Sequence, residues 1–203
     1  MLRNYLVRNR RSVQRPVAGC VHSLRALALA LLLCAPAIAQ VLPPALFARF
    51  GADEGLAQGA ILAITQDPQG FIWIGTEDGL NRYDGYELTH SIRDRSAAGG
   101  LPNSWVAALA LDGKGQLWIG TADGGIVRRD PVDGRFHPPQ DAGGKLLVDP
   151  RAAVRALRFD ARDRLWIGTR NSGVRVLDLG KGEARDYRRD LTNSASLSDD
   201  SIH

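Results

Sequence analysis

Trp-Ile-Gly-Thr occurs three times in this 203-residue chain, at Trp73, Gly75 and Thr76, at Trp118, Gly120 and Thr121, and at Trp166, Gly168 and Thr169. The intervals are 45 and 48 residues. The similarity extends beyond the four letters. Twelve residues before each Trp stands an aliphatic residue, Ile61, Val106 or Val154. Six residues before it begins an acidic turn, at Asp67, Asp112 or Asp160, and 11 or 12 residues after it comes Asp84, Asp130 or Asp178. A repeat of this length is one supersecondary unit that buries its apolar faces by stacking on its neighbours.

Strand positions follow from the pattern within a unit. Residues 61–66, 106–111 and 154–159 are short and mostly apolar on both faces, as expected of a strand covered on two sides. The acidic turn reverses the chain into 71–76, 117–121 and 165–169. A Gly-containing turn leads to a third strand at 80–83, 126–129 and 174–177, and a second turn leads to a fourth at 86–92, 135–138 and 183–187. Four antiparallel strands in about 45 residues make a propeller blade. The expected fold is therefore all-β, an incomplete β-propeller of about three four-stranded antiparallel blades after an N-terminal signal helix.

The repeated residues have structural reasons to recur. Alternation along the second strand puts Trp and Gly on one face and Ile on the other. A Trp packed against the next blade removes roughly 150–250 Å² from water, a gross ~4–6 kcal/mol at ~25 cal/mol per Å². Gly on that face lets the adjacent sheet approach, and the Thr hydroxyl is placed to bond into the following turn. Trp73, Gly75, Thr76, Trp118, Gly120, Thr121, Trp166, Gly168 and Thr169 are thus read as architecture.

Composition matters chiefly for what it removes. Arg3, Arg8, Arg10, Arg11, Arg15 and Arg25 precede the apolar run 26–35, which is followed by Ala37-Ile38-Ala39 and Gln40. This is the layout of a secretory signal peptide over residues 1–39, cleaved near Ala39 into the periplasm or the medium. Without those six arginines, the 26 basic and 22 acidic residues of the chain become 20 and 22. The basic character therefore belongs to the leader, and nucleic acid is not an expected partner. Cys20 and Cys34 also lie in the leader, so the mature chain has no thiol for a disulfide, metal or nucleophile. Residues 40–58 read as a lead-in with room for an outer strand of a closing blade, 59–93, 94–138 and 139–190 as three blades, and 191–203 as the start of a fourth.

The frame from Asp67 to Gly85, Asp-Pro-Gln-Gly-Phe-Ile-Trp-Ile-Gly-Thr-Glu-Asp-Gly-Leu-Asn-Arg-Tyr-Asp-Gly, resembles the two-component regulator propeller repeat of bacterial periplasmic sensors. It occurs in looser form at 125–130 and 173–178, and the segments at 53–56, 100–103 and 196–201 resemble the loops that precede each first strand in that family. The resemblance implies further blades, an immunoglobulin-like segment, a membrane span and a cytoplasmic output module, often a hybrid histidine kinase or a diguanylate cyclase, with scope for homodimerisation in the full-length receptor. A fourth Trp in register would fall at 214. The chain is therefore expected to be a truncated sensor lacking its remaining blades and output module.

No catalytic constellation is found. There is no nucleophile elbow, phosphate loop or dinucleotide fingerprint. His90, His137 and His203 have no metal-pair spacing, and the Asp turns lack the alternating ligands of a calcium loop. No cofactor and no metal are expected. Trp105 stands just before the first strand of its unit, where the other units have Ala60, Ala153 and Ser201. With Asn103 it is the candidate ligand contact, an aromatic on a propeller rim able to stack on a sugar or another flat small molecule; filling a gap between blades is the competing role. The leading function is ligand sensing for signal transduction. The alternatives are a fragment of a secreted propeller enzyme, a lyase or glycan-processing enzyme, and a non-functional remnant.

Overall fold

The computed structural model describes residues 51, 53, 55–94 and 99–203. The expected signal helix over residues 1–39 with its cleavage point, Cys20 and Cys34, and most of the lead-in segment lie outside the described residues. Those described form three four-stranded antiparallel sheets and contain no helix. The first sheet comprises β1 (Ile61–Gln66), β2 (Ile72–Thr76), β3 (Gly79–Tyr83) and β4 (Leu88–Ser91). The second comprises β5 (Val106–Leu111), β6 (Leu117–Thr121), β7 (Ile126–Arg129) and β8 (Phe136–His137). The third comprises β9 (Val154–Phe159), β10 (Arg164–Thr169), β11 (Val174–Asp178) and β12 (Glu183–Tyr187). In each sheet strand order follows chain order, and the first strands β1, β5 and β9 lie side by side. This is the arrangement of successive propeller blades.

The fourth strands are shorter than the pattern suggests in two units. The Asp84 carboxylate accepts the backbone N–H groups of Tyr86 and Glu87 at 2.9 and 2.8 Å, holding both in the turn, so β4 begins at Leu88. β8 stops before Pro138 and Pro139, neither of which has a backbone donor for the ladder.

Two apolar clusters form the core, one at each junction between sheets. The first gathers Trp73, Leu80, Val106, Leu117, Ile119 and Val127. The second gathers Trp118, Ile126, Val154, Leu165, Ile167 and Leu177, with Val148 from the connection between the sheets. The glycines decide how closely the sheets approach. A Cβ on Gly75 would lie 2.7 Å from Val106 Cγ1, on Gly120 2.5 Å from Val154 Cγ1, and on Gly168 2.7 Å from Ile202 Cγ2. The aliphatic residue opening each unit thus seats over the glycine of the unit before.

A β-bulge makes this possible. In each first strand the register shifts next to the opening residue: Ile61 opposes Thr76 while Ala63 opposes Gly75, Val106 opposes Thr121 while Ala108 opposes Gly120, and Val154 opposes Thr169 while Ala156 opposes Gly168. Two residues apart on a regular strand, Val106 and Ala108 would share a face. The extra residue sends Val106 to the face opposite Ala108, toward the preceding sheet.

β1 departs from the expectation of cover on both sides. Ile61 is 50% exposed, and Leu62 and Ile64 are exposed as well. Among the described residues no sheet packs on that face of β1, whereas β5 and β9 each have a preceding sheet.

Candidate functional site

The sheets present two rims. One carries the Asp turns, between first and second and between third and fourth strands. The other carries the crossovers between units together with the turns from second to third strand.

On the Asp-turn rim each repeat tryptophan is anchored by its own turn. The indole Nε1–H of Trp73 donates to Asp67 Oδ2 at 2.7 Å, that of Trp118 to Asp112 Oδ2 at 3.1 Å, and that of Trp166 to Asp160 Oδ2 at 3.0 Å. The other oxygen of each Asp accepts two backbone N–H groups of the turn. One carboxylate therefore closes the hairpin and, at the buried Trp73 and Trp118, satisfies a donor that burial would otherwise orphan. At Asp160 the bonds from Trp166 and Arg164 hold the carboxyl well below the usual carboxylate range. The threonines act at the far end of the same strand, where Thr76, Thr121 and Thr169 donate through Oγ1 to the carbonyls of Gly79, Gly125 and Gly173 at 2.9–3.1 Å.

The three tryptophans differ in surroundings. Trp73 is 5% exposed, with the Arg129 guanidinium of the second sheet 5.0 Å over its ring. Trp118 is 3% exposed and meets Phe159 of the third sheet edge to face at 5.9 Å. Trp166 departs from the expected packing against a neighbouring sheet. It is 36% exposed and stacks on Tyr187 of its own sheet at 6.1 Å, because among the described residues no sheet covers its face.

The crossover rim holds the sequence-derived ligand candidates. Trp105 is 41% exposed. Its loop is fixed by Asn103, whose Oδ1 accepts the Trp105 backbone N–H at 2.8 Å and whose Nδ2 donates to the Asp123 carbonyl at 3.2 Å. Asn103 thereby spends its amide on the loop, and the Trp105 indole is the group displayed. Further along this rim, beside the third sheet, is a cleft of about 360 Å³ that no motif in the chain announces. The Arg175–Asp186 pair lines it, joined by two parallel N–H···O bonds of 2.6 and 2.7 Å, with Arg175 Nη1 also donating to the Leu147 carbonyl at 2.8 Å. The fork lowers the Asp186 pKa and raises that of Arg175. Arg151, Asn171 and Arg188 also line the cleft.

A second group missed from sequence is Asp130, Asp133 and His137, whose ligating atoms lie within 4.8 Å of one another across the turn from β7 to β8. Their spacing of three and four residues follows no metal motif. The carboxylates serve the turn, Asp130 accepting from Val132 and Asp133 from Arg135.

Fold and rims define a protein class: consecutive blades of a β-propeller. Comparison with known proteins gives the particular repeat. The two component regulator propeller family model matches at residues 55–78 and 100–123. The extracellular domain of a hybrid two component system from B. thetaiotaomicron superposes with TM-score 0.65 at 24% identity, covering 76% of this chain and 21% of that one. A second such domain from the same organism gives 0.60 at 23%, covering 75% and 20%. Histidine kinase P4 of Formosa agariphila is 45% identical over 40 residues, 20% of this chain and 3% of that protein. The chain thus spans about a fifth of the solved domains and a small part of the curated relative.

Proposed function

We propose that these blades belong to the extracytoplasmic ligand-sensing propeller of a signal-transduction receptor, of the two-component or cyclic-dinucleotide type, that they reach the periplasm or the medium through the leader 1–39, and that they bind a small molecule or glycan on the crossover rim. The family repeat supports the receptor reading. The one observation that carries the binding reading is Trp105, an indole left exposed on a loop that Asn103 and Asp123 hold in place. A flat ligand stacked there would reach the polar residues lining the adjoining rim. Among the described residues no nucleophile, base and orienting group converge, and the proposed role is recognition.

Screening the full chain against a panel of oligosaccharides and aromatic metabolites by calorimetry tests this. A ligand whose affinity falls at least about tenfold in Trp105→Ala is expected. Ligands bound equally by both forms would remove Trp105 from the site. For the compartment, N-terminal sequencing of secreted product is expected to begin at Gln40.

A further inference from the structure

A different cleft, of about 370 Å³, opens on the Asp-turn rim between the first and second sheets. We propose that it is a binding site for an oxyanion, a carboxylate or a phosphoryl group, held by Arg82 of β3 and Arg129 of β7, with Lys114 at the mouth.

Three observations converge. First, the positive groups that line the cleft outnumber the acids there. Arg82, Lys114 and Arg129 line the cleft with Asp67 as the one carboxylate among the lining residues. Asp67 is already committed, accepting the Trp73 indole on one oxygen and the backbone N–H groups of Gln69 and Phe71 on the other. Second, the Nε of Arg82 is buried and makes no hydrogen bond. A charged donor left unpaired away from water is costly and is relieved by an acceptor. Third, the guanidinium groups are positioned by aromatic rings rather than by acids: Arg82 lies 4.7 Å over Phe71 and Arg129 5.0 Å over Trp73. That contact fixes each plane while leaving its N–H edge for an acceptor.

Charge balance agrees. Burial, and then the charge of Arg82, lower the Arg129 pKa, so the two cations repel across the cleft. Asp130, Asp133 and Asp67 oppose this, but Asp133 pairs with Arg135 and the Asp130 carboxylate serves its turn. An anion between Arg82 and Arg129 would bridge the first two sheets, turning mutual repulsion into a clamp. The site is on the rim opposite Trp105 and stands or falls independently of the ligand proposed there.

Calorimetric titration of the full chain with inorganic phosphate and, separately, with succinate tests the proposal. Saturable binding of at least one probe with Kd of about 1 mM or tighter is expected, accompanied by a change in tryptophan emission because Arg129 rests on Trp73. Stronger phosphate binding assigns a phosphoryl ligand and stronger succinate binding a carboxylate; either supports the site. Arg82→Gln and Arg129→Gln should each weaken binding at least about tenfold, and exposed Lys114→Gln about threefold, while Trp105→Ala leaves it unchanged. Should an arginine variant not fold, Lys114→Gln still reports on the cleft. No saturable binding of either probe by the unaltered chain, or an unchanged Kd in Arg129→Gln and Lys114→Gln, overturns the proposal.

Discussion

The γ-methyl of Val154 occupies the space that a side chain on Gly120 would need, 2.5 Å from where its Cβ would lie. Val154 is fully buried in that place, on the first strand of the third sheet, and Gly120 is on the second strand of the second. The contact is the unit of assembly of this fold, repeated by Val106 over Gly75 and by Ile202 over Gly168.

Gly120→Ala is accordingly expected to overpack the junction and destabilise the protein by about 1–3 kcal/mol, read by denaturant unfolding. Val154→Ala in the same chain should restore part of the loss, giving a coupling term in a double-mutant cycle. Simple additivity would mean that the two residues do not compete for space. Gly168→Ala should cost less, because Ile202 lies in no strand and its backbone N–H bonds to Thr169 alone at 2.9 Å.

All four tryptophans of the chain lie in the described residues, which makes their exposure measurable. Acrylamide quenching should divide emission into two classes, Trp105 and Trp166 accessible, Trp73 and Trp118 protected. Trp166→Phe combined with Trp105→Phe is expected to remove the accessible class. A uniform quenching constant would contradict the difference in cover between the second and third sheets.

Removing the Asp112 carboxylate leaves the indole N–H of the buried Trp118 without its acceptor. Asp112→Ala should cost about 1–3 kcal/mol. Trp118→Phe in that background removes the orphaned donor as well, so the loss from Asp112→Ala should be smaller there than in the unaltered chain. An equal loss in both backgrounds would assign the effect to the turn alone.

Acid titration should expose the Asp160 anchor. Its folded pKa is depressed, first by the Trp166 indole and then by Arg164, so its contribution is present above the ordinary carboxylate value of about 3.9 and is lost as pH falls through the folded value. Asp160→Asn should therefore be less stable than the parent at neutral pH, with the difference shrinking below about pH 4. Unfolding curves at a series of pH values measure this, and a difference independent of pH would show that charge plays no part.

Recurrence made much of the architecture legible. Strands at 61–66, 106–111, 117–121 and 154–159 follow directly from runs of mostly apolar residues between Asp and Gly turns, as found in β1, β5, β6 and β9, and the polar strand at 183–187 follows from the turn at 180–182 before it, as found in β12. The approach of sheets at Gly75, Gly120 and Gly168 and the Thr bonds into the turns were equally readable, because each depends on side-chain size or chemistry within one unit. Less of the binding surfaces could be read. Trp105 stood out only as a large residue where its counterparts are small, and nothing in the letters linked Arg82 to Arg129 or Arg175 to Asp186.

What the sequence by itself determined is the repeat: which residues extend, where the chain turns, and that Trp and Gly share a face, since all of these are set by neighbours a few residues away. The tertiary structure alone decided which face each opening aliphatic residue takes, which acid receives each indole and which cations meet. A bulge adds one residue and reverses a side chain's direction without altering an apolar run, so alternation cannot reveal it. The cation pair between the first two sheets arises from stacking units 47 residues apart at Arg82 and Arg129, a distance over which only packing brings side chains together.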